Sequence, residues 1–290
     1  MTPFPLPVNL VESARGDRDP LRRAWIDALP GIVACLQQRW GVEVGAPYQP
    51  GGETAWVAPA RHAAGDELVL KVGWRHPESD HEADGLRAWS GRGAVLVRTA
   101  HREADTSALL MERCDPGTEL GRTEPEPRQD EIVANLLRRL WHEPAAGHPF
   151  RPLQEMCDAW ADECEADPNP RLDPGLAREG VALFRSLPAG AERAVLLFTD
   201  LHAGNVLAAR REPWLVIDPK PYVGDPAYDP LQHMLNCTQR LTADPAALSD
   251  RMADLCGGDP ARLRLWLFAR CVVESSRRDD LLEVAARLAP

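Results

Sequence analysis

Lysine is scarce in this sequence, since only Lys71 and Lys220 are lysines among its 33 basic residues. Positive charge is also in deficit, because 44 acidic residues give a formal net charge of -11. An acidic chain repels phosphodiester backbones and anionic lipids, so nucleic acids and membrane surfaces are poor candidate partners. Apolar runs such as residues 194–198 are far shorter than the roughly 20 residues that a membrane span requires. The charge favours a cationic small molecule as a ligand.

The seven cysteines are odd in number and form no C-x-x-C pair. A disulfide framework or a zinc knuckle would show closer and more regular spacing, so we expect reduced thiols. The first residues have no basic start followed by an apolar segment, so no secretion signal is expected. Neither an H-E-x-x-H motif nor a Cys/His cluster indicates a metalloenzyme centre. We therefore expect a cytoplasmic, monomeric protein, with about two domains for 290 residues.

Turn and strand patterns dominate the first part of the chain, and helical periodicity dominates the rest. Short β-favouring runs predict four strands, at 55–58, 68–72, 95–97 and 108–111. One helix is expected from Pro77 to about Ser90, because proline suits the first turn of a helix. A hinge is expected near 111–118. These patterns predict a mainly β N-terminal part before the hinge.

Beyond residue 129, apolar residues recur at the spacing of helices. Four helices are predicted, around 132–140, 176–187, 231–235 and 263–271. Three short apolar runs between them predict strands, at 194–198, 206–208 and 214–217. The C-terminal part should therefore be mainly α-helical with a small hairpin.

The segment 196–207 is the richest candidate for chemistry. Asp200 is followed five residues later by Asn205, and Asp218 ends the next apolar run. Phosphoryl transfer from ATP uses such groups: one carboxylate orients the attacking hydroxyl, while an amide oxygen and a second carboxylate hold Mg²⁺. Asp and Asn also form ordinary Asx-turns between strands. The placement of all three beside apolar strands favours the functional interpretation.

The segments 70–89, 199–207 and 211–229 resemble the aminoglycoside/hydroxyurea antibiotic resistance kinases, especially the streptomycin 6-phosphotransferases. The resemblance covers nearly the whole chain. It implies an α+β, two-lobed protein-kinase-like fold, with a small β-rich lobe at 1–112 that carries one key helix and a larger, mainly α lobe at 113–290. It also implies an enzyme that phosphorylates a hydroxyl group of a small molecule with ATP and Mg²⁺.

The resemblance assigns the chemical step to residues of the second lobe. Asp200 is similar to the catalytic base, and Asn205 and Asp218 are similar to the two metal ligands. His202 resembles a position at which such kinases place a cation near the transferring phosphate. The resemblance therefore predicts a site for phosphoryl transfer on the segment 200–218.

A second group of residues is similar to the donor-binding residues of the family. Lys71 resembles the strand lysine that contacts the α- and β-phosphates, and Glu82 the helix glutamate that pairs with it. Met111 and Arg113 resemble part of the hinge that binds adenine. Lys220 follows a metal ligand, so both lysines fall on the expected site, where a compact ammonium suits a phosphate. A solubilising charge on an edge strand is the alternative for Lys71. ATP is the expected donor, and GTP stays open.

Two departures from the family pattern affect this assignment. Phe198 and Thr199 stand where related kinases usually have His-Gly before the base. Phenylalanine can fill a volume similar to that of histidine, so we expect retuning and not loss of activity. Gly51 and Gly52 are not part of a G-x-G-x-x-G motif and indicate an ordinary turn.

Two aspartates after the metal ligand have structural interpretations. Asp229 is expected to cap a helix that begins near Pro230. Asp225 either braces the catalytic segment or lies on the surface, and the sequence favours neither. Both belong to a stretch, 224–229, that resembles the corresponding stretch of the family.

The acceptor should meet acidic side chains, because streptomycin-like compounds carry guanidinium groups. The candidates are Glu155, Asp158, Asp162, Glu165, Asp225, Glu274 and Asp279. The first four share one helix face, for which a solvated polar face is the more common explanation. The leading hypothesis is phosphorylation of streptomycin at its 6-hydroxyl. A kinase for hydroxyurea or another hydroxylated metabolite, and a catalytically silent nucleotide-binding module, are the alternatives.

Overall fold

The computed structural model describes residues 4–17, 19–63, 65–103 and 105–290. The chain forms two compact units, Met1–Gly117 and Thr118–Pro290. The division falls inside the hinge that the sequence analysis expects near 111–118, a few residues after the proposed boundary at 112. Within the described ranges, no helix combines the length and the apolar character needed to cross a membrane.

The N-terminal unit is built on a five-stranded antiparallel sheet. In sheet order its strands are β1 (Val42–Val44), β2 (Ala55–His62), β3 (Glu67–Trp74), β5 (Thr106–Glu112) and β4 (Val97–Arg102). Successive side chains of β3 point to opposite faces. Leu70 and Val72 are buried in the core, while Val69 and Lys71 lie on the other face and are half-buried. The sheet therefore has one core face and one face that carries Lys71.

Two helices before the sheet cover the core face. They are α1 (Val8–Gly16) and α2 (Pro20–Trp40), and Trp25, Leu29, Val33 and Leu36 of α2 join the core with β3. The sequence analysis was wrong here, because it expected only turns and short strands in this region. Pro30 lies inside α2, where proline normally ends a helix. The apolar stripe at helical spacing, buried on the sheet, outweighs that cost.

The helix expected from Pro77 to Ser90 is interrupted. The structure has a 3₁₀ turn at Pro77–Ser79 and then α3, at Glu82–Trp89. The Ser79 hydroxyl donates to the carbonyl oxygen of His76 at 2.9 Å and accepts from the backbone N–H of His76 at 3.1 Å. These two bonds stabilise the 3₁₀ turn as a separate unit before α3. The helix α3 therefore begins at Glu82, which places this carboxylate in its first turn.

The C-terminal unit is mainly helical, as predicted. Its helices are α4 (Leu120–Thr123), α5 (Glu126–Leu140), α6 (Leu153–Ala166), α7 (Pro174–Ser186), α8 (Leu231–Asn236), α9 (Thr238–Ala243), α10 (Pro245–Cys256), α11 (Pro260–Glu274) and α12 (Leu281–Leu288). A three-stranded sheet has the order β6 (Arg151–Pro152), β10 (Tyr222–Gly224) and β7 (Val195–Leu197). The strands β8 (Val206–Ala208) and β9 (Trp214–Val216) form an antiparallel hairpin.

A buried carboxylate ties several of these helices together. Asp130 of α5 is fully buried and accepts hydrogen bonds from Arg240 at 2.7 Å and Arg251 at 2.8 Å, and His233 lies 2.9 Å away. These partners keep the pKa of Asp130 below its usual range, although burial opposes them. Cys237 lies close enough to join His233 and Asp130 around a metal ion. The two arginines already neutralise the carboxylate, so the cluster is better explained as an ion-pair core.

We expect Asp130→Asn to lower the free energy of unfolding by about 3 kcal/mol, because two arginines lose a buried partner. The native pKa lies well below the unfolded value near 4, so this stabilisation is fully present above about pH 4 and is lost progressively as the pH falls from there through the native pKa. Denaturant unfolding at neutral pH and near pH 3 measures both effects. Asp250→Asn, which removes an exposed partner of Arg264, is the control and should cost less than about 1 kcal/mol. Equal losses for the two variants would contradict the assignment.

Candidate active site

Hydrogen bonds within the C-terminal unit bring together three residues that the sequence assigned to chemistry. Asp200 lies in the catalytic loop, residues 198–205, which connects β7 to β8. The Asn205 side-chain Nδ2 donates to the backbone oxygen of Asp200 at 2.9 Å. The N–H of Ile217 donates to the backbone oxygen of Asn205 at 3.0 Å, which places Asp218 next to the end of the loop. The three residues therefore lie at one end of the β8–β9 hairpin, where Asp218 is close enough to raise the pKa of Asp200.

Two residues of this region have left-handed backbone conformations. Thr199 has a φ of 58° and Asp218 a φ of 62°. Such conformations cost free energy in residues other than glycine and are concentrated at functional sites. The Thr199 hydroxyl donates to the backbone oxygen of Lys220 at 2.5 Å, and the Lys220 N–H donates to the backbone oxygen of Phe198 at 3.0 Å. These bonds hold the threonine where related kinases usually have glycine.

Asp229 braces the catalytic loop, a role that the sequence analysis did not give it. Its buried carboxylate accepts backbone N–H groups of Phe198 at 3.0 Å and Thr199 at 2.6 Å, and the Trp141 indole N–H at 2.8 Å. The expected helix cap is wrong, because α8 begins at Leu231 without a side-chain cap. Burial raises the pKa of Asp229 to about 6, while the three donors oppose the rise. No short-range pattern around Asp229 indicates this contact, because the two loop residues that donate to it lie 30 and 31 positions earlier in the chain.

Asp225, the other aspartate of this stretch, is also buried and serves a different segment. It accepts from the N–H of Ala227 at 3.0 Å, from Arg262 at 2.6 Å and from the Trp266 indole at 2.6 Å. It thus caps the 3₁₀ turn Pro226–Tyr228 and ties it to α11. Its carboxylate is occupied by structural partners, which leaves little of it for an acceptor molecule.

The carboxylate of the candidate base Asp200 has one lysine, one histidine and a second carboxylate around it. The Lys220 Nζ lies 3.2 Å from Oδ2 of Asp200. Burial raises the pKa of Asp200, Asp218 adds to the rise, and Lys220 and His202 oppose it. His202 accepts the N–H of Gly204 on its Nδ1 at 3.1 Å, and burial lowers its pKa. His202 is therefore neutral near pH 7, and Lys220 is the cation that contacts Asp200.

The N-terminal unit contains the expected lysine–glutamate pair. The Lys71 Nζ lies 2.7 and 2.8 Å from the two carboxylate oxygens of Glu82. Both side chains are largely buried, at 13% and 4% exposure. Met111 is buried on β5, opposite Val69, and Arg113 follows β5 with its guanidinium 3.7 Å from Glu67. Lys71 and Met111 thus lie on the neighbouring strands β3 and β5, while Glu82 lies on α3 and Arg113 directly follows β5.

Most of the acidic acceptor candidates have arginine partners. Asp158, Asp162 and Glu165 all lie within 4 Å of the Arg185 guanidinium, at 3.6, 2.6 and 2.7 Å. This arrangement fits the solvated polar face that was the alternative explanation. Glu155 lies in the first turn of α6, Asp279 pairs with Arg171, and Glu274 pairs with Arg270. Glu274 also lines a cavity of about 340 Å³ together with Trp160.

The fold is that of protein-kinase-like small-molecule kinases. The choline kinase LicA from Streptococcus pneumoniae superposes with a TM-score of 0.62 at 13% identity, over 89% of this chain and 97% of that one. The macrolide 2'-phosphotransferase MphH from Brachybacterium faecium superposes with a TM-score of 0.52 at 17% identity, over 91% and 98%. These likenesses confirm the α+β kinase-like fold expected from the sequence.

The sequence comparison narrows this class to one family. Residues 39–281 match the aminoglycoside/hydroxyurea antibiotic resistance kinases, and the chain belongs to that family. A hydroxyurea phosphotransferase from Kitasatospora aureofaciens is 36% identical over 92% of this chain and 78% of its own length. A streptomycin 6-kinase from Streptomyces griseus is 34% identical over 77% and 72%. The protein is therefore a phosphotransferase with an alcohol group as acceptor, as the resemblance implied.

We expect Asp229→Asn to change how stability depends on pH. The native carboxyl takes up a proton near pH 6 and the unfolded one near 4, so wild-type stability rises as the pH falls from 7 to 5. Asp229→Asn should lose about 1.4 kcal/mol of this rise per pH unit between the two pKa values. Denaturant unfolding at pH 7 and pH 5 measures the difference, with Asp225→Asn as the control that keeps the rise. An Asp229→Asn protein with the wild-type slope would refute the explanation.

Proposed function

We propose that this protein transfers the γ-phosphoryl group of ATP to a hydroxyl group of an aminoglycoside, with the 6-hydroxyl of streptomycin as the leading acceptor. The observation that carries the proposal is the arrangement of Asp200, Asn205 and Asp218, in which Asn205 donates to Asp200 and accepts the N–H of Ile217, the residue before Asp218. The two streptomycin 6-kinases among its relatives, 34% and 32% identical, support this acceptor. The net charge of -11 also suits a cationic ligand.

Hydroxyurea is the second candidate acceptor, because the hydroxyurea phosphotransferase is 36% identical over 92% of this chain. Another small hydroxylated metabolite would fit the same chemistry. A silent nucleotide-binding module is the candidate of a different class. The presence of the base, both metal-ligand candidates and the Lys71–Glu82 pair argues against silence.

The donor set of the second unit suits a hard divalent cation. Asn205 commits its Nδ2 to the backbone oxygen of Asp200, so its side-chain oxygen is the atom left to act as a ligand. Asp218 supplies a carboxylate beside it, and Mg²⁺ prefers such oxygen ligands. When bound, Mg²⁺ would hold the donor phosphates and reduce the repulsion between their charges. Asn205 and Asp218 are the residues that would hold it.

The chemical step needs a residue that orients and deprotonates the acceptor. The acceptor oxygen forms a bond to the γ-phosphorus, and the bond from that phosphorus to the bridging oxygen of the diphosphate breaks. Asp200 accepts the proton of the acceptor hydroxyl; its pKa, raised by burial, makes it a stronger base than an exposed aspartate. Lys220 holds Oδ2 of this carboxylate in place and adds positive charge beside the reacting groups. Lys71, fixed by Glu82, would contact the donor phosphates.

Among the acidic residues, Glu274 has the best support as an acceptor contact. It lines the 340 Å³ cavity with Trp160, Glu163 and Asp167. The chain's own arginines already use these groups, since Arg270 pairs with Glu274 and lies over the Trp160 ring, and Arg277 pairs with Glu163. A guanidinium group of the acceptor would compete with these arginines. Asp158 and Asp162 share Arg185 and do not line this cavity.

Wild-type protein incubated with MgATP and either streptomycin or hydroxyurea should convert one of them into a product with one added phosphate, detected by mass spectrometry. Asp200→Asn should slow turnover by about 100-fold or more while still binding ATP, because only the proton acceptor is lost. Asp250→Asn, an exposed carboxylate far along the chain, is the matched control and should keep wild-type turnover. Excess chelator should abolish turnover in all three proteins.

The outcomes separate the candidates. Phosphorylated streptomycin supports the leading acceptor, and phosphorylated hydroxyurea supports the second. ATP binding without either product directs the search to other hydroxylated compounds. Absence of both ATP binding and product would favour the silent module. Undiminished turnover by Asp200→Asn would refute its role as the base.

Lys71→Ala should lower kcat/KM for ATP by about 100-fold, because the phosphates lose a positioned cation. Glu82→Gln should have a smaller effect of the same kind, since the lysine remains but is held less firmly. Arg87→Ala, an exposed residue on α3, is the control. Steady-state kinetics with varied ATP measures these values. Unchanged kinetics for Lys71→Ala would contradict the phosphate contact.

A further inference from the structure

The loop between β1 and β2, residues 45–54, is held by the N-terminal segment. The N–H of Asn9 donates to the backbone oxygen of Pro50 at 3.0 Å, and its side chain donates to that of Gly51 at 2.8 Å. The side chain of Gln49 donates to the backbone oxygen of Leu6 at 3.2 Å. These bonds hold the loop in one conformation. A loop without the G-x-G-x-x-G motif is thus ordered by residues that lie before the part matched by the family, which begins at 39.

This ordered loop displays one aromatic side chain. Tyr48 is 43% exposed, whereas the other Phe, Trp and Tyr residues of the described ranges are buried or half-buried. Its N–H donates to the backbone oxygen of Val57 at 2.9 Å. Val57 pairs with Lys71 on β3. Directly opposed residues of antiparallel strands share a face, so Val57 lies on the face that carries Lys71, and the backbone of Tyr48 is bonded to that residue.

The hydroxyl end of Tyr48 reaches the hinge candidates. Burial raises the pKa of the Tyr48 hydroxyl, the nearby Arg113 guanidinium lowers it, and Cys114 and Glu67 raise it, so these three side chains lie near the hydroxyl. Arg113 lies just beyond the end of β5, whereas Lys71 pairs with Leu109 near the middle of that strand. The Tyr48 side chain therefore extends along the face between the level of Lys71 and the residues that follow β5.

The surroundings of Tyr48 fit a flat, apolar group joined to an anion. Val57 and Val69, on the same face, are half-buried aliphatic side chains. Lys71 supplies a cation beside them. A nucleobase has a flat aromatic surface, and the phosphates attached to it through the ribose would meet the lysine. Stacking of a base on an aromatic ring does not depend on which base it is.

We infer that Tyr48 contacts the nucleobase of the donor, and that the N-terminal segment positions it by ordering the loop. The inference rests on the proposed function, because it requires a nucleoside triphosphate at Lys71. A surface tyrosine that only holds Arg113 through its hydroxyl is the competing explanation. The two differ in what they require, since stacking needs the ring and the hinge contact needs the hydroxyl.

Calorimetric binding of ATP and of inorganic tripolyphosphate, which has no base, tests the inference. Tyr48→Ala should raise the Kd for ATP by about tenfold and leave that for tripolyphosphate unchanged. Tyr48→Phe keeps the ring and should bind ATP within about twofold of wild type. Leu21→Ala, an exposed apolar residue on α2, is the control that should change neither value. Thermal melting of each variant establishes that it is folded.

Other results would overturn the inference. Equal losses for ATP and tripolyphosphate in Tyr48→Ala would mean that Tyr48 acts through the loop or the phosphates. A Tyr48→Phe protein as impaired as Tyr48→Ala would favour the hydroxyl contact to Arg113. If wild type binds ATP and Tyr48→Ala binds it equally well, only this inference fails. If wild type binds neither ligand, the proposed function fails, and the role of Tyr48 fails with it.

Discussion

The carboxylate of Asp229 is the interaction on which the catalytic loop depends. The buried carboxylate accepts the backbone N–H groups of two consecutive loop residues, Phe198 and Thr199. A buried donor without a partner would cost free energy, so the loop keeps its conformation only while this acceptor is present. The Trp141 indole fixes the carboxylate in turn. The position of Asp200 therefore depends on a buried residue that lies 29 positions later in the chain.

The strained backbone at Thr199 and Asp218 follows from the same arrangement. Both residues adopt left-handed conformations, and the hydrogen bonds from Thr199 to Lys220 and from Lys220 to Phe198 join their two segments. A glycine at 199 would adopt this conformation with less strain. It would also lose the hydroxyl that bonds to the second segment. Thr199 is more strained than glycine in this conformation but gains the hydrogen bond to Lys220. This bond explains how the chain can have Phe-Thr where related kinases usually have His-Gly.

The sequence predicted what depends on short-range patterns. The strands that flank Asp200 and Asn205 and the strand that carries Lys71 follow from apolar runs, while the kinase-like fold followed from the resemblance to the family. The sequence analysis failed where the structure depends on contacts between residues that are far apart in the sequence. It missed α2, a helix that contains Pro30 and whose stability comes from packing on the sheet. The partners of Asp229 and the Arg185 that neutralises the acidic stripe lie far away in sequence, so spacing alone could not identify them.

Lysine scarcity has a practical consequence. Every lysine amine of the chain belongs to one of two ion pairs, Lys71 with Glu82 or Lys220 with Asp200. Lys220 is the more accessible, at 33% side-chain exposure against 13% for Lys71. Acylating reagents therefore label side chains only within these pairs, and the extent of labelling reports whether they are covered by a ligand. For the same reason, attachment to a surface through a lysine side chain would hold the protein by one of these two ion pairs.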